Sequence, residues 1–206
     1  MGNHDTAPAA LTFDGKHIWV AASWGNSVSK IQLDGRVEKT IQVPGFHPSP
    51  WDIISEGNSV WVASMGSNYV DRFDQDGNLT GHFKVMEFPE VLPGGAGWGG
   101  GTSALDFDGE HIWVALSSLN TVTKVTQEGQ VIKEVPVGEW PSAVLYDGLE
   151  IWVANFLDDS VTRIAKDGTV LDTIQVERGP HALILANQEI WVGNFQGDSI
   201  TRIRRR

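Results

Sequence analysis

The stretch PSAVLYDGLEIWVANFLDDSVTRIAKDGTVLDTIQV, from Pro141 to Val176, decides the fold. Its apolar residues alternate in short runs, and two of the breaks between runs are an acid followed by glycine, Asp147-Gly148 and Asp167-Gly168. Glycine accepts the positive φ that tight turns need, so an acid-Gly pair between alternating runs signals a hairpin. The reading is four strands: Ala143 to Leu145, Glu150 to Asn155, Ser160 to Ala165 and Val170 to Val176. A loop around Asp158-Asp159 joins the second to the third. The β-branched residues of Ser-Val-Thr-Arg-Ile and Thr-Ile-Gln-Val suit strands, and no stretch shows a helical period.

The same phrase recurs on both sides. Ile-Trp-Val stands at Ile18-Trp19-Val20, Ile112-Trp113-Val114, Ile151-Trp152-Val153 and Ile190-Trp191-Val192, with Val60-Trp61-Val62 as a variant. The Trp spacings are 42, 52, 39 and 39 residues. Eleven residues before each Trp stand Pro8, Pro50, Thr102, Pro141 and Pro180. Five residues before it stand Asp14, Glu56, Asp108 and Asp147, each followed by Gly; the last copy has Ala186-Asn187 instead. Four copies carry a second acid-Gly pair, at Asp34, Asp76, Glu128 and Asp167. A four-stranded meander with one Trp in its second strand, repeating every 40 residues or so, is the period of a β-propeller blade. A β-solenoid has shorter repeats, and two consecutive sandwiches would not space Trp so regularly. The expected fold is all-β: a β-propeller with five recognisable blade repeats, read as a single domain over residues 1–206. The repeats run approximately 8–49, 50–101, 102–140, 141–179 and 180–206. The last blade lacks its fourth strand, because the sequence stops after Ser199 to Ile203 and three arginines. Either a five-bladed ring closes on a three-stranded blade or the chain is part of a larger ring. The incomplete blade offers an edge for self-association, which the terminal arginines would blunt.

Composition narrows the function classes. The chain carries 15 Lys+Arg against 26 Asp+Glu, a net charge of −11, which disfavours a phosphate backbone as partner. Eight of those acids belong to the acid-Gly turns, so most of the imbalance is turn chemistry. No apolar run is long enough for a membrane helix, and no signal peptide is visible. Zero Cys excludes disulfides and thiol chemistry. The expectation is a soluble protein, cytoplasmic or exported after loss of a signal peptide, without nucleic-acid or membrane partners.

The pattern G-x-x-P-x-A-[LIV]…D-G…I-W-V-A-N…D-S-V-T-R-I…D-G-x-V, spread from Pro8 to Ile203, resembles the bacterial propeller superfamily that includes the streptogramin B lyases; YVTN and NHL repeat proteins are similar in style. The resemblance implies a propeller and, if carried to function, a catalytic His after the Pro that opens a blade, with Glu residues holding magnesium. Pro180-His181-Ala182 matches the His position. Gly179 stands where the family has a Glu two residues before that His. Trp191-Val192-Gly193-Asn194 replaces a phrase ending in Glu, and Ser142 replaces a second His. Without carboxylates a hard cation loses its preferred oxygen ligands, so neither a metal nor another cofactor is expected.

Function is therefore sought where copies differ. The five recurrent Trp read as packing between blades. Asn26, Asn68, Asn120, Asp159 and Asp198, each seven residues after its Trp, read as left-handed turn residues bonding their own backbone; a calcium reading of Asp158-Asp159 is the lesser alternative. His17 and His111 read as structural and His47 as a weak candidate. The four other Trp (Trp24, Trp51, Trp98 and Trp140), with Phe156 and Phe195, fall in loops expected around the mouth of the propeller channel. The residue after the recurrent Pro or Thr varies: Ala9, Trp51, Ser103, Ser142 and His181. His181 is the strongest single candidate, because imidazole titrates near neutral pH. Asp52 is expected on the opposite side of its strand from Trp51. The long connection from Asp76 to Thr102, with its Gly-rich run from Gly94 to Gly101, lacks the Lys-Ser/Thr of a phosphate loop and reads as a flap carrying Trp98.

The leading expectation is a non-enzymatic propeller that binds a small molecule, protein or peptide through Trp24, Trp51, Trp98, Trp140, Phe156, Phe195, His181, Ser103, Ser142 and Asn194. The alternatives are a lyase-like or hydrolase enzyme using His181, and a structural stretch of a larger propeller.

Overall fold

The structure is a computed structural model that describes residues 7–87 and 101–205. It contains nineteen strands in five antiparallel sheets. Two compact units divide the chain, Met1–Thr102 and Ser103–Arg206. The first unit holds the sheet β1 (Pro8–Phe13), β2 (Ile18–Ala22), β3 (Ser27–Ile31), β4 (Val37–Gln42) and the sheet β5 (Pro50–Glu56), β6 (Ser59–Ser64), β7 (Tyr69–Asp74), β8 (Leu79–Lys84). The second begins within β9 (Thr102–Phe107), which pairs on into β10 (Ile112–Leu116), β11 (Thr121–Val125) and β12 (Val131–Pro136). Next come β13 (Pro141–Tyr146), β14 (Glu150–Asn155), β15 (Ser160–Ala165) and β16 (Val170–Gln175). The last sheet has three strands, β17 (Pro180–Ala186), β18 (Glu189–Asn194) and β19 (Ser199–Arg204). Every sheet is a simple meander, the blade of a β-propeller, as the repeat period requires. Among the described residues no helix is long and apolar enough to cross a membrane.

Within each unit, recurrent Trp lie between successive sheets. In the first unit Trp19 packs with Val28 of its own sheet and with Ile53, Val60 and Val62 of the next. In the second unit Trp113 packs with Ile151 and Val153, and Trp152 with Ile190 and Val192. Trp19, Trp113 and Trp152 have no exposed surface. Burying a large aromatic side chain fully is worth about 1.5–3 kcal/mol of transfer free energy, so one per interface is a main source of cohesion.

Two recurring partners fix each ring. Asp14, Asp108 and Asp147 accept the indole Nε1–H of Trp19, Trp113 and Trp152 at 2.7, 2.8 and 3.0 Å. The other oxygen of each carboxylate accepts the backbone N–H groups two and three residues on. Burial alone would raise the Asp14 and Asp108 carboxyls. The indole and backbone donors more than offset this, and both are held below the ordinary carboxylate range. The acid-Gly pairs are turn residues, and in three of them, at Asp14, Asp108 and Asp147, the carboxylate also anchors the blade Trp; the glycines of all eight pairs have positive φ, from 56° to 93°. A cation directly across the ladder covers one face of each Trp. Lys30, Arg72, Lys124, Arg163 and Arg202 lie 5.4–5.9 Å from the centroids of Trp19, Trp61, Trp113, Trp152 and Trp191.

The recurrent Asn/Asp seven residues after Trp depart from expectation in part. Asn26, Asn120, Asp159 and Asp198 do take positive φ, and Asn68 does not. Asn26, Asn120 and Asp159 use their side-chain oxygens to accept N–H groups of Ser49, Trp140 and Gly179, in the loop that follows strand four of their blade, rather than of their own turn. They tie the loop after strand two to the connection leading into the next blade.

Candidate functional site

Strand one of a blade opens with a residue that the ladder cannot regulate. Proline lacks the N–H that would pair, and the register shifts between Pro8 and Ala10, Pro50 and Asp52, Pro141 and Ala143, and Pro180 and Ala182. Each shift is a bulge whose extra residue is Ala9, Trp51, Ser142 or His181, the variable position of the sequence. A bulge re-aims a side chain without disturbing the pairing beyond it. The period-two argument that set Asp52 opposite Trp51 does not hold across this bulge; the Asp52 carboxylate accepts the N–H of Ile53 at 2.9 Å.

In the second unit three predicted residues come together. The His181 ring lies 5.8 Å from Phe156, edge-on at 77°, and 6.2 Å from Phe195; the two Phe rings are 6.5 Å apart. Phe156 and Phe195 hold equivalent places, each following a buried Asn at the end of strand two. The Phe156 N–H donates to Trp140 O at 2.9 Å and the Phe195 N–H to Gly179 O at 2.8 Å, which holds both loops against the entry of strand one. Trp140 therefore borders the trio, at a φ of 55°. Phe195 is 72% exposed and His181 is open to solvent at one side. Neighbouring protein still desolvates the imidazole and pulls its pKa below the ordinary value. No hydrogen-bond or ion-pair partner reaches His181 among the described residues.

The polar candidates are occupied by structure. Ser103 Oγ donates to Pro141 O at 2.8 Å, and Ser142 Oγ to Pro180 O at 2.9 Å, each stitching one blade to the next. Asn194 is buried; with its amide oriented to satisfy both ends, it donates to Glu177 O and accepts from Ser199 Oγ and Thr201 Oγ1. In the first unit Trp24 is 70% exposed and Trp51 half-buried. Trp98 and the Gly-rich run lie outside the described residues.

The groups that would hold magnesium in a lyase-like site do not fit this chain. Gly179 has φ +67°, and a Cβ there would come within 2.9 Å of Gln196 Cγ, so a glutamate would be strained and would require Gln196 to shift. Asn194 and Ser142 have spent their polar atoms as described. No group of three His, Asp or Glu side chains could share a metal ion among the described residues.

No protein-family model and no curated protein matches the chain. Its fold is similar to that of several solved propellers. Virginiamycin B lyase from Staphylococcus aureus superposes with a TM-score of 0.76 at 19% identity, over 98% of this chain and 71% of that one. A catalytically inactive variant of that lyase solved with quinupristin gives 0.75 at 18%, over 100% and 72%. Hydrazine synthase of Kuenenia stuttgartiensis gives 0.73 at 17%, over 93% and 56%. The chain resembles streptogramin B lyase in fold; at these identities the likeness carries the β-propeller architecture and not an activity.

Proposed function

We propose that this propeller is a non-enzymatic binding module that takes a small molecule with a flat apolar group on the surface formed by Phe156, His181 and Phe195. The observation that carries the reading is the convergence of these three rings from two blades, each aimed by a bulge or by a loop pinned to the bulged strand. Rigid aromatic side chains offer contact area at little entropic cost, and they dominate binding energetics where they cluster. The His181 imidazole, whose pKa is drawn down by partial desolvation, adds polar ring nitrogens to an otherwise apolar surface.

The second reading is a lyase or hydrolase using His181, favoured by its match to the lyase His position. Against it stands the isolation of that imidazole: no carboxylate orients it, and the positions that would hold a metal are filled by Gly179, Asn194 and Ser142.

The test is a thermal-shift and titration screen of aromatic small molecules and aromatic peptides. Ligands of this surface are expected to bind His181→Ala and Phe195→Ala at least about tenfold more weakly, a loss of about 1.4 kcal/mol. If every ligand found binds both variants as tightly as the parent, the site is wrong. Turnover of cyclic depsipeptides or simple esters that His181→Ala abolishes would replace it with the enzymatic reading.

A further inference from the structure

The first unit holds a cavity whose lining includes none of the residues that vary after the blade-opening proline. A cavity of about 140 Å³ opens between the connection after β4 and the outer half of the second blade, lined by Gly45, Phe46, Gly66, Ser67, Asn68, Tyr69 and His82. A single water needs only about 10–15 Å³ by the same measure, so the space is large enough for a small organic molecule. The His82 imidazole stacks on the Tyr69 ring, centroids 4.0 Å apart and planes within 4°. Its Nδ1 lies 2.6 Å from Oδ1 of Asp71, directly across the ladder in β7.

Asp71 is the anomaly. It has no exposed surface, and among the described residues its Oδ2 has no partner. The same place, ten residues after the blade Trp, is Ser29, Thr123, Thr162 and Thr201 in the other blades. Ser29 faces Thr40 across the ladder at 3.3 Å between hydroxyls, and Thr162 is paired with Thr173. Ser29 bonds Thr40 and Thr162 accepts from Asn155 Nδ2 without a charge, while Thr123 Oγ1 is buried with no partner among the described residues. A buried carboxylate with one unbonded oxygen costs stability, and a propeller blade has no structural need of it. Burial pushes the Asp71 carboxyl up to about 6, against the pull of His82, so at neutral pH it is ionised. In the neutral imidazole an ionised carboxylate at Nδ1 keeps the proton on that nitrogen and leaves Nε2 with its lone pair. No described residue bonds Nε2.

We propose that the cavity at Phe46, Tyr69 and His82 binds a small planar ring carrying a hydroxyl or N–H donor, of the class of phenol, whose donor bonds to Nε2 of His82. Asp71 acts through His82 as a positioning residue: it fixes the tautomer and the ring plane, and Tyr69 braces the imidazole from behind. Phe46 supplies an apolar wall, and its ring is 63% exposed at the cavity rim.

The experiment titrates phenol, and separately anisole, into the whole chain, well above the Asp71 pKa, and follows the His82 ring by NMR. Phenol is expected to shift the His82 resonances saturably. Anisole keeps the ring and the oxygen but carries a methyl in place of the donor; it should bind at least about tenfold more weakly, the effect of one lost hydrogen bond of about 1.4 kcal/mol, and the Asp71→Asn variant separates loss of the donor from the bulk of the methyl. His82→Gln should weaken phenol at least as much. Asp71→Asn, whose amide can hold the ring with the proton on Nε2, should abolish the preference for phenol over anisole, which a merely structural Asp71 would not do. Absence of saturable binding, equal affinity for the two probes, or an unchanged preference in Asp71→Asn overturns the proposal. The phenol–anisole pair is read on the parent protein, so it decides even if a variant fails to fold. The readout at His82 is independent of the outcome at Phe156, His181 and Phe195.

Discussion

The last two blades have the same strands and the same Trp, but their first hairpins differ. In the fourth blade Asp147 closes a four-residue loop between Tyr146 and Ile151, accepts two backbone N–H groups, and holds the Trp152 indole. Its Oδ2 also meets Arg205 at 2.7 Å. In the fifth blade Ala186 pairs with Glu189 across two residues, Asn187 and Gln188, both at positive φ. The Trp191 indole N–H is buried there without a partner. Trp152 is fully buried and Trp191 half-buried. A shared sequence period therefore hides two kinds of blade: one whose Trp is fixed by three kinds of contact, and one that relies on packing and the Arg202 guanidinium.

Substitution should separate them. Trp152→Ala is expected to cost about 3–5 kcal/mol in chemical denaturation, the range for a fully buried large aromatic, and Trp191→Ala less than about 3. Equal costs would mean that the anchor contributes nothing. Next in size, Asp147→Ala strands three N–H donors and should cost about 1–3 kcal/mol by the same measurement. The equivalent carboxylate in the third blade offers a pH test. The Asp108 pKa is depressed below its unfolded value of 3.8, so its contribution is complete above that pH and is lost as pH falls through the folded value. The Trp113 indole N–H resonance should move over that acid range, while that of Trp191 should not. Smallest, Gln188→Gly should relieve a non-glycine residue held at φ 63° and raise stability by about 1 kcal/mol, read as a rise of about 2–4 °C in Tm.

Much of the fold is legible in the sequence. The Trp period and the acid-Gly pairs specify the blades, and strands Glu150–Asn155 and Ser160–Ala165 fall where alternation puts them. What alternation cannot carry is a departure from it. The bulge after Pro50, Pro141 and Pro180 breaks the period that was used to place Asp52. The double duty of Asp14, Asp108 and Asp147 has a signal, the constant five-residue step to Trp, but turn chemistry alone explains an acid before glycine. The cation over each Trp is written in a constant eleven-residue step, which becomes meaningful once strands two and three are in register. Ser103 and Ser142 vary in kind from Trp51 and His181, yet they are stitched to the next blade and so belong to the scaffold. Asp71 and His82 stand eleven residues apart in different strands. The sequence clue is that Asp71 interrupts a column of hydroxyl residues, which is noticed only after the blades are superposed.

The bulge at the head of strand one has a consequence for how such a molecule changes over time. Everything downstream of it is dictated by the ladder, the Trp and their anchors, while the bulged residue answers to none of them. Ala9, Trp51, Ser142 and His181 occupy this place with the same pairing beyond it. Apart from Ser142, which is tied to Pro180 of the next blade, the scaffold thus offers sockets in which one codon at a time can refit the chemistry presented without renegotiating the fold.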